Sequence, residues 1–298
     1  MSITFQYVDN CRPPGGPTHL CEADPAVSAA ENVSVIVTTR NVARTLEACL
    51  RSIRSQDYRP VELIVVDNSS TDDTAAIARA HADTFLSVGP ERSAQRNVGV
   101  DVASGPWILW IDADMVLAPD VIRSAVEAAR DAGAPAASIP ERTIGSGFWT
   151  ACRTLERSCY LDDPSLFNPR LLRRDLLVGL GGFDERMAGP EDTDLRLRLA
   201  QDGVPVAHAT AMIDHDEGRL SLRDVVRKRA YYGNSLPTFV STNPGAVRAQ
   251  ARATVRAFVR HRRRLAADPL HGIGLVVLRS IEGGGYAYGA ARAALGRR

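Results

Sequence analysis

Three apolar runs, Val33–Val37, Val61–Val66 and Trp107–Ile111, each stop abruptly in polar residues and give way to helical periodicity, an alternation that constrains the fold more than any other feature of the chain. After the first run, Leu46, Cys49, Leu50 and Ile53 recur at the spacing of one helix face within 43–55. The second run leads through Asp67 into a helix expected over 72–82, with Ser or Thr at hand as its cap. A shorter strand is expected over 84–88, helices over 93–103 and 119–132, and a strand over 136–139. Apolar strands separated by helices of this length imply right-handed crossovers and a largely parallel sheet covered on both faces, an α/β fold. Ligands collect at the carboxyl ends of such strands, so Thr38, Asn41, Asp67, Asp112 and Asp114 form the first shortlist of site residues. No Gly-x-Gly-x-x-Gly opens any of these helices, so the phosphate loop of a dinucleotide-binding fold is missing.

The formal net charge of +1 conceals two opposed parts. Residues 1–218 carry 20 arginines against 32 acids, a net −12, and residues 219–298 carry 16 Lys/Arg against 3 acids, a net +13. An acidic body argues against a nucleic-acid-binding core, while the basic part calls for an anionic partner or for docking on the body itself. Of the 36 basic residues only Lys228 is a lysine. Five cysteines without a Cys-x-x-Cys pair indicate neither a disulfide framework nor a zinc cluster, so a reducing cytoplasm is the expected compartment. Residues 1–31 are rich in Pro, Gly and polar residues and read as an extension without a secretory signal. No run of about 20 apolar residues suits a membrane span.

The most informative motif is Asp112-Ala113-Asp114, two carboxylates around a small residue straight after a buried strand. Hard cations such as Mg²⁺ or Mn²⁺ take that kind of oxygen cluster, completed by water and substrate phosphate. Standing alone, the motif reads equally well as an Asx-turn that ends a strand. Likewise Glu191, Asp192 and Asp194 alone are an acidic first helical turn favoured by the helix dipole, Asp67 alone is a cap or turn residue, Arg96 alone is a surface arginine paired with Glu91 or Asp101, and His215 alone is a structural histidine.

Taken together, VSVIVTTRN (33–41), VVDNSSTDDT (65–74), RSAQRNVGVDVASG (92–105), ILWIDADM (108–115) and GGFDERMAGPEDTDLRLRL (181–199) resemble the family 2 glycosyltransferases of the GT-A fold, over about residues 32–240. The resemblance implies a nucleotide-binding α/β sandwich that transfers a sugar, with inversion, from a nucleoside diphosphate sugar to an acceptor hydroxyl or similar nucleophile. A UDP-sugar is the expected donor and Mn²⁺ or Mg²⁺ the expected cofactor. By the family pattern Thr38, Thr39, Arg40 and Asn41 line the nucleotide pocket, joined by Asp67 and Ser69 after the second strand. The chain departs from the pattern where Arg40 replaces a tyrosine common beside the base and Asn68-Ser69-Ser70 replaces Asp-Gly-Ser. Arg96, expected at the start of the third helix, would meet the diphosphate, and Asp112 with Ala113 would contact the nucleotide sugar. Asp114 would bind the metal, Asp112 would touch it or its water, and His215 would complete the shell. Asp192 would be the general base and Glu191 its support or an acceptor contact. Arg227, Lys228 and Tyr231-Tyr232-Gly233 resemble an element that closes over the diphosphate in some bacterial members; as a solvated basic helix they need no such role.

The expected organisation is therefore an extension (1–31), a catalytic domain (32–218) with a nucleotide-sugar half (about 32–115) and an acceptor half (about 116–218), and a basic helical region (219–298). In the last, Arg248, Arg252, Arg256 and Arg260 recur every fourth residue beside Val247, Ala251, Val255, Phe258 and Val259. A basic helix with an apolar stripe suits an anionic lipid surface, which would place the chain at the inner face of the membrane with a small-molecule or lipid-linked acceptor. Docking on the acidic body is the other reading. Two rival functions remain at this level: a non-catalytic sugar-nucleotide-binding protein and a metal-dependent nucleotidyltransferase. The first is disfavoured by retention of both acidic motifs, the second by the want of a basic, Gly-rich phosphate loop.

Overall fold

A computed structural model describes residues 30–163 and 166–296; most of the expected extension, with Cys11 and Cys21, lies outside them. Everything described from Glu31 onward belongs to one compact unit. Strands β1 (Val33–Thr39), β2 (Val61–Asp67), β3 (Thr84–Ser87) and β4 (Trp107–Asp112) alternate with helices α1 (Ala43–Arg54), α2 (Thr74–His81) and α3 (Arg92–Val102). These four strands pair in parallel, in the order β3-β2-β1-β4. Then come β5 (Met115–Leu117), α4 (Val121–Asp131), β6 (Ala136–Ser138), β7 (Glu141–Ile144), α5 (Phe148–Ser158), β8 (Pro169–Arg173), α6 (Arg174–Gly179), α7 (Glu191–Gln201), β9 (Val206–His208) and β10 (Ile213–Asp216). The main sheet continues past β4 with β8, β6 and β9, and β8 runs antiparallel to both neighbours.

The long strands are buried on both sides, and their period of two divides the core. Val33, Val35, Val37, Leu63, Val65, Leu109 and Ile111 pack with α1 and α4, whereas Ile36, Ile64, Val66, Ile108 and Trp110 pack with α3, α6 and α7. The α1 face is the expected one: Leu46, Cys49, Leu50 and Ile53 are buried. Helix α2 starts two residues later than expected, because Asp72 Oδ1 accepts the Thr74 amide at 3.1 Å and Oδ2 the Ala43 amide at 3.3 Å, binding Asp72 into the preceding loop.

Register brings the strand ends together. Thr39 lies beside Asp67 and Thr38 beside Asp112. A second sheet, β5-β10-β7, sits just past β4, and antiparallel pairing of β10 with β5 sets His215 opposite Met115, next to Asp114. Parallel pairing of β10 with β7 sets His215 opposite Thr143, two residues from Glu141.

The C-terminal part is helical: α8 (Leu222–Gly233), α9 (Leu236–Thr242), α10 (Ala246–Arg260), α11 (Arg262–Ala267) and α12 (Pro269–Gly296). Ser221 caps α8 by accepting the Asp224 amide at 3.1 Å. A small core of Cys152, Val225, Leu275 and Leu278 joins α5, α8 and α12. Phe258 leaves the apolar stripe expected on α10 and stacks near Tyr160, with ring centroids 6.1 Å apart, while Val247, Val255 and Val259 stay exposed. Among the described residues no helix is long and apolar enough to cross a membrane.

Helices α8 and α12 touch backbone to backbone, because a Cβ on Gly289 would lie 2.0 Å from the Ala230 carbonyl oxygen and one on Gly233 would lie 2.5 Å from that of Tyr286. Gly289→Val should therefore lower unfolding stability by about 1–3 kcal/mol through overpacking, seen as a lower midpoint in thermal denaturation. An unchanged midpoint would show that the helices do not meet there.

Candidate active site

Two loops at the ends of β1 and β2 are bound to one another. Thr39 Oγ1 donates to Asp67 Oδ1 at 2.8 Å, and the Ser70 amide donates to Asp67 Oδ2 at 2.8 Å. The Asn41 amide donates to Ser70 Oγ at 2.8 Å, and Asn41 Oδ1 accepts the Thr71 amide at 2.8 Å. Asn41 and Ser69 adopt φ of 51° and 48°, a left-handed conformation rare outside glycine, and these cross-links hold it. Beside the paired loops lies a cavity of about 360 Å³ lined by Thr38, Thr39, Arg40, Asn68 and Arg92 among others. Asn41, Asp67 and Ser69 lie outside that lining and shape the loops around it.

A second cavity, of about 350 Å³, contains Asp112, Asp192 and His215 together with Glu141 and Arg170. Lys228 and Tyr232 of α8 line both cavities. Glu191, Asp192 and Asp194 do form the acidic first turn of α7, but they are not a solvated one. Glu191 is 0% exposed: its Oε2 accepts the Gly189 amide at 2.5 Å and its Oε1 accepts from Arg92 Nε at 2.9 Å. Asp194 is committed to Asn243 at 2.8 Å and Arg198 at 2.9 Å.

Arg96 joins these acids to the end of β4. Its Nη2 donates to Asp112 Oδ1 at 2.9 Å, and its Nη1 to Asp192 Oδ1 and, at 3.4 Å, to Glu191 Oε1. The guanidinium packs 4.2 Å from the Trp110 ring centroid and 5.1 Å from that of Phe183. At 1% exposure it is no surface arginine. Helix α3 begins at Arg92, so Arg96 stands one turn inside it rather than at its start, and lines neither cavity. Arg92, one turn earlier on the same face, reaches the first cavity. Arg92 and Arg170 also approach Asp112, at 3.6 and 3.5 Å, and Arg170 Nε donates to Glu141 Oε1 at 2.6 Å.

These contacts set the acids apart from one another. Burial alone would raise Asp112, but Arg96, Arg92 and Arg170 hold it far below the ordinary carboxylate range. Burial pushes Asp192 up to about 6; Arg96 opposes the shift, and the charges of Glu191 and Asp112 reinforce it. Against burial, the carboxylates of Asp114 and Glu141 push His215 up to about 10.

His215 Nε2 lies 3.3 Å from Asp114 Oδ2, and its buried Nδ1, which makes no hydrogen bond, lies 3.6 Å from Glu141 Oε2. Among the described residues no three His, Cys, Asp or Glu side chains converge as a closed metal cage. Asp112 turns both oxygens to arginines. Asp114, 33% exposed, and His215, once a cation displaces the proton that its acid neighbours hold on it, offer an open pair of donors, a set that fits a hard cation completed by substrate phosphate oxygens and water.

The sequence signalled most of this constellation but not Arg170 and Glu141, which sit on short strands without a periodic signature. Arg92 was missed too; its position four residues before Arg96, on the same helix face, is the signal that could have found it. Trp149, Arg153, Glu156 and Arg157 lie on one helix, α5; Trp149 packs into the α5–α8–α12 core, and Arg153 and Arg157 line the second cavity.

Comparison with known proteins gives a consistent set. Residues 34–182 match the model of glycosyl transferase family 2. A PGL/p-HBAD biosynthesis glycosyltransferase of Mycobacterium bovis (strain BCG / Pasteur 1173P2) is 40% identical over 97 residues, 29% of this chain and 36% of that protein. A pre-mycofactocin glycosyltransferase of Mycobacterium tuberculosis (strain CDC 1551 / Oshkosh) is 26% identical over 264 residues, 78% of this chain and 50% of that protein. The chain thus spans about a third to a half of the length of the curated relatives it matches. The mannosyltransferase PcManGT from Pyrobaculum calidifontis, solved with GDP-Man and Mn²⁺, superposes with a TM-score of 0.59 at 20% identity, over 91% of this chain and 89% of that one.

Because the buried Arg96 contacts three carboxylates, one of them, Glu191, fully buried, Arg96→Met should cost about 3–5 kcal/mol of unfolding free energy. Urea denaturation reads this directly, and a loss below about 1 kcal/mol would remove Arg96 from that role.

Proposed function

Because the chain belongs to glycosyl transferase family 2, we propose that it moves the sugar of a nucleoside diphosphate sugar to an acceptor nucleophile with inversion, and that Asp192 is the general base. The nucleoside lies in the cavity of Thr38, Thr39 and Arg40, and the sugar and acceptor lie in the cavity of Asp112 and Asp192. The observation that carries the reading is that Asp192, the acid of the cluster with a raised proton affinity, lines the same cavity as Asp112 and His215. A solved mannosyltransferase of the same fold bound to GDP-Man and Mn²⁺ supports a nucleotide-sugar donor and a divalent cation; a UDP-sugar is the donor we place first.

Inversion requires one in-line displacement. As the acceptor oxygen bonds to the anomeric carbon, the bond from that carbon to the phosphate oxygen breaks. Its electron pair leaves with the nucleoside diphosphate, and the acceptor proton passes to Asp192. Arg96 orients Asp192 through Oδ1. Lys228 and Arg92, on the walls of the donor cavity, face the leaving diphosphate. Asp114 and His215 would hold Mn²⁺ or Mg²⁺, which as a Lewis acid neutralises charge on the departing phosphate.

Asp192→Asn should leave nucleotide-sugar binding within about twofold and reduce transfer by at least about a hundredfold, and a chelator should abolish transfer by the wild type. The base must be ionised to act, so kcat/KM should fall about tenfold per pH unit below a midpoint near 6. Undiminished turnover in Asp192→Asn, read by release of the nucleoside diphosphate, would return the protein to a binding role.

We assign the enzyme to the cytoplasm, where the exposed Arg248, Arg252, Arg256 and Arg260 and the exposed Val247, Val255 and Val259 of α10 suit an anionic lipid surface at which a lipid-linked acceptor is met. The protein should then sediment with phosphatidylglycerol vesicles but not with phosphatidylcholine vesicles, and Arg252→Glu with Arg256→Glu should release it. Equal recovery with both vesicle types would discard the contact.

A further inference from the structure

Next to the cavity of Asp112 and Asp192 lies a smaller one of about 200 Å³ that shares Arg153, Arg157 and Arg229 with it. Arg196 of α7 and Arg279 of α12 complete the ring, so that among the described residues five guanidiniums face this space against one carboxylate, Glu156. Glu282, the neighbouring acid, is divided among several of them: its Oε1 accepts from Arg153 Nη2 at 2.5 Å and Arg229 Nε at 2.8 Å, and its Oε2 from Arg279 Nη1 at 2.9 Å. Glu156 Oε2 accepts from Arg153 Nη1 at 2.7 Å, and the same oxygen pair serves Tyr160 and Arg279. Arg153, at 6% exposure, keeps a buried Nε that makes no hydrogen bond but lies 3.7 Å from Glu217, and Arg157 Nη1 lies 3.6 Å from Glu141. Withdrawal from water, opposed by Glu282 and reinforced by Arg153, leaves Arg279 below the ordinary guanidinium range.

An ion network that served only to join α5, α8 and α12 would balance its charges, because buried excess charge is costly. Glu282, Glu217 and Glu141 reach some of these arginines from outside the cavity, yet the space itself is faced by five guanidiniums and a single carboxylate, and it adjoins the cavity in which Asp192 awaits an acceptor. Guanidinium forks match oxyanions, and several of them around one cavity fix both the position and the orientation of such a group.

We propose that this arginine-lined cavity seats an oxyanion of the acceptor, a phosphate or a carboxylate, and so holds the acceptor hydroxyl against Asp192. The proposal rests on the glycosyl-transfer reading and adds the acceptor's chemical class. Binding energy from the anchored oxyanion then serves to position the nucleophile.

The test is calorimetric titration of the full chain with inorganic phosphate and, separately, with succinate, each in the absence and presence of saturating UDP and Mg²⁺, which fill the diphosphate position of the donor. The wild type should bind one of the two anions with nucleotide present, and the stronger of them tells phosphate from carboxylate. Arg196→Gln and, separately, Arg279→Gln should each weaken that binding at least tenfold. Arg196→Lys should retain most of it, and UDP affinity should stay within twofold in all three. Equal anion affinity in the wild type and both glutamine variants, or no anion binding by the wild type, would overturn the proposal. Anion binding that depends on Arg196 in a protein that binds no nucleotide would instead uphold the oxyanion site and overturn the donor reading.

Discussion

A single buried cation holds the reactive part of this fold together. Arg96 stands between the end of β4 and the first turn of α7, with carboxylates of both in contact and the rings of Trp110 and Phe183 against its plane. Without it, Asp112, Glu191 and Asp192 would repel one another in a poorly solvated space, and the strand and helix that carry them would have no reason to converge. With it, one acid is kept firmly ionised and another is left with a proton affinity close to the working range of a base. The aromatic pair contributes as well: Trp110 and Phe183 meet edge to face, with centroids 5.9 Å apart, and both lie on the face of the sheet that α3 and α7 cover.

The parts of the fold legible in the sequence are those where one period runs long enough to register. Seven residues of β1 and six of β4, nearly all buried, leave no other reading than central strands, and α1 shows its buried face at i, i+3, i+4 and i+7. Of the strands of three to five residues, β3 and β6 are legible as short apolar runs, whereas β5, β7, β8, β9 and β10 are not. β10 reads Ile213-Asp214-His215-Asp216, three polar residues in four, and its identity as a strand comes from pairing with β5 and β7 rather than from its own preferences. For the same reason Arg170 and Glu141 stay hidden in the sequence. Each belongs to a short strand, and they meet only because β8 and β7 are brought together by residues far away in the chain.

Arg96 shows a different limit. Its neighbourhood in the chain marks it as important, yet its expected task, facing a diphosphate from a helix start, depends on where α3 begins. The helix starts within one residue of the expected boundary, but only its first turn reaches the first cavity, so Arg92 lines that cavity and Arg96, one turn deeper, lies beneath the acids. A single helical turn thus separates a residue that lines a cavity from one that arranges the acids beside it.

Helix α8 forms a common wall of the two cavities, and its exposed Lys228 lines both. It is also the one lysine in the sequence. Every other side-chain cation is a guanidinium or an imidazole, so a reagent selective for primary amines has a single side-chain target, at the point where the two cavities adjoin. The amino-acid bias that leaves this protein almost without lysine thereby gives it a built-in address for a chemical probe, and the accessibility of that one amine reports directly on what occupies the space beside it.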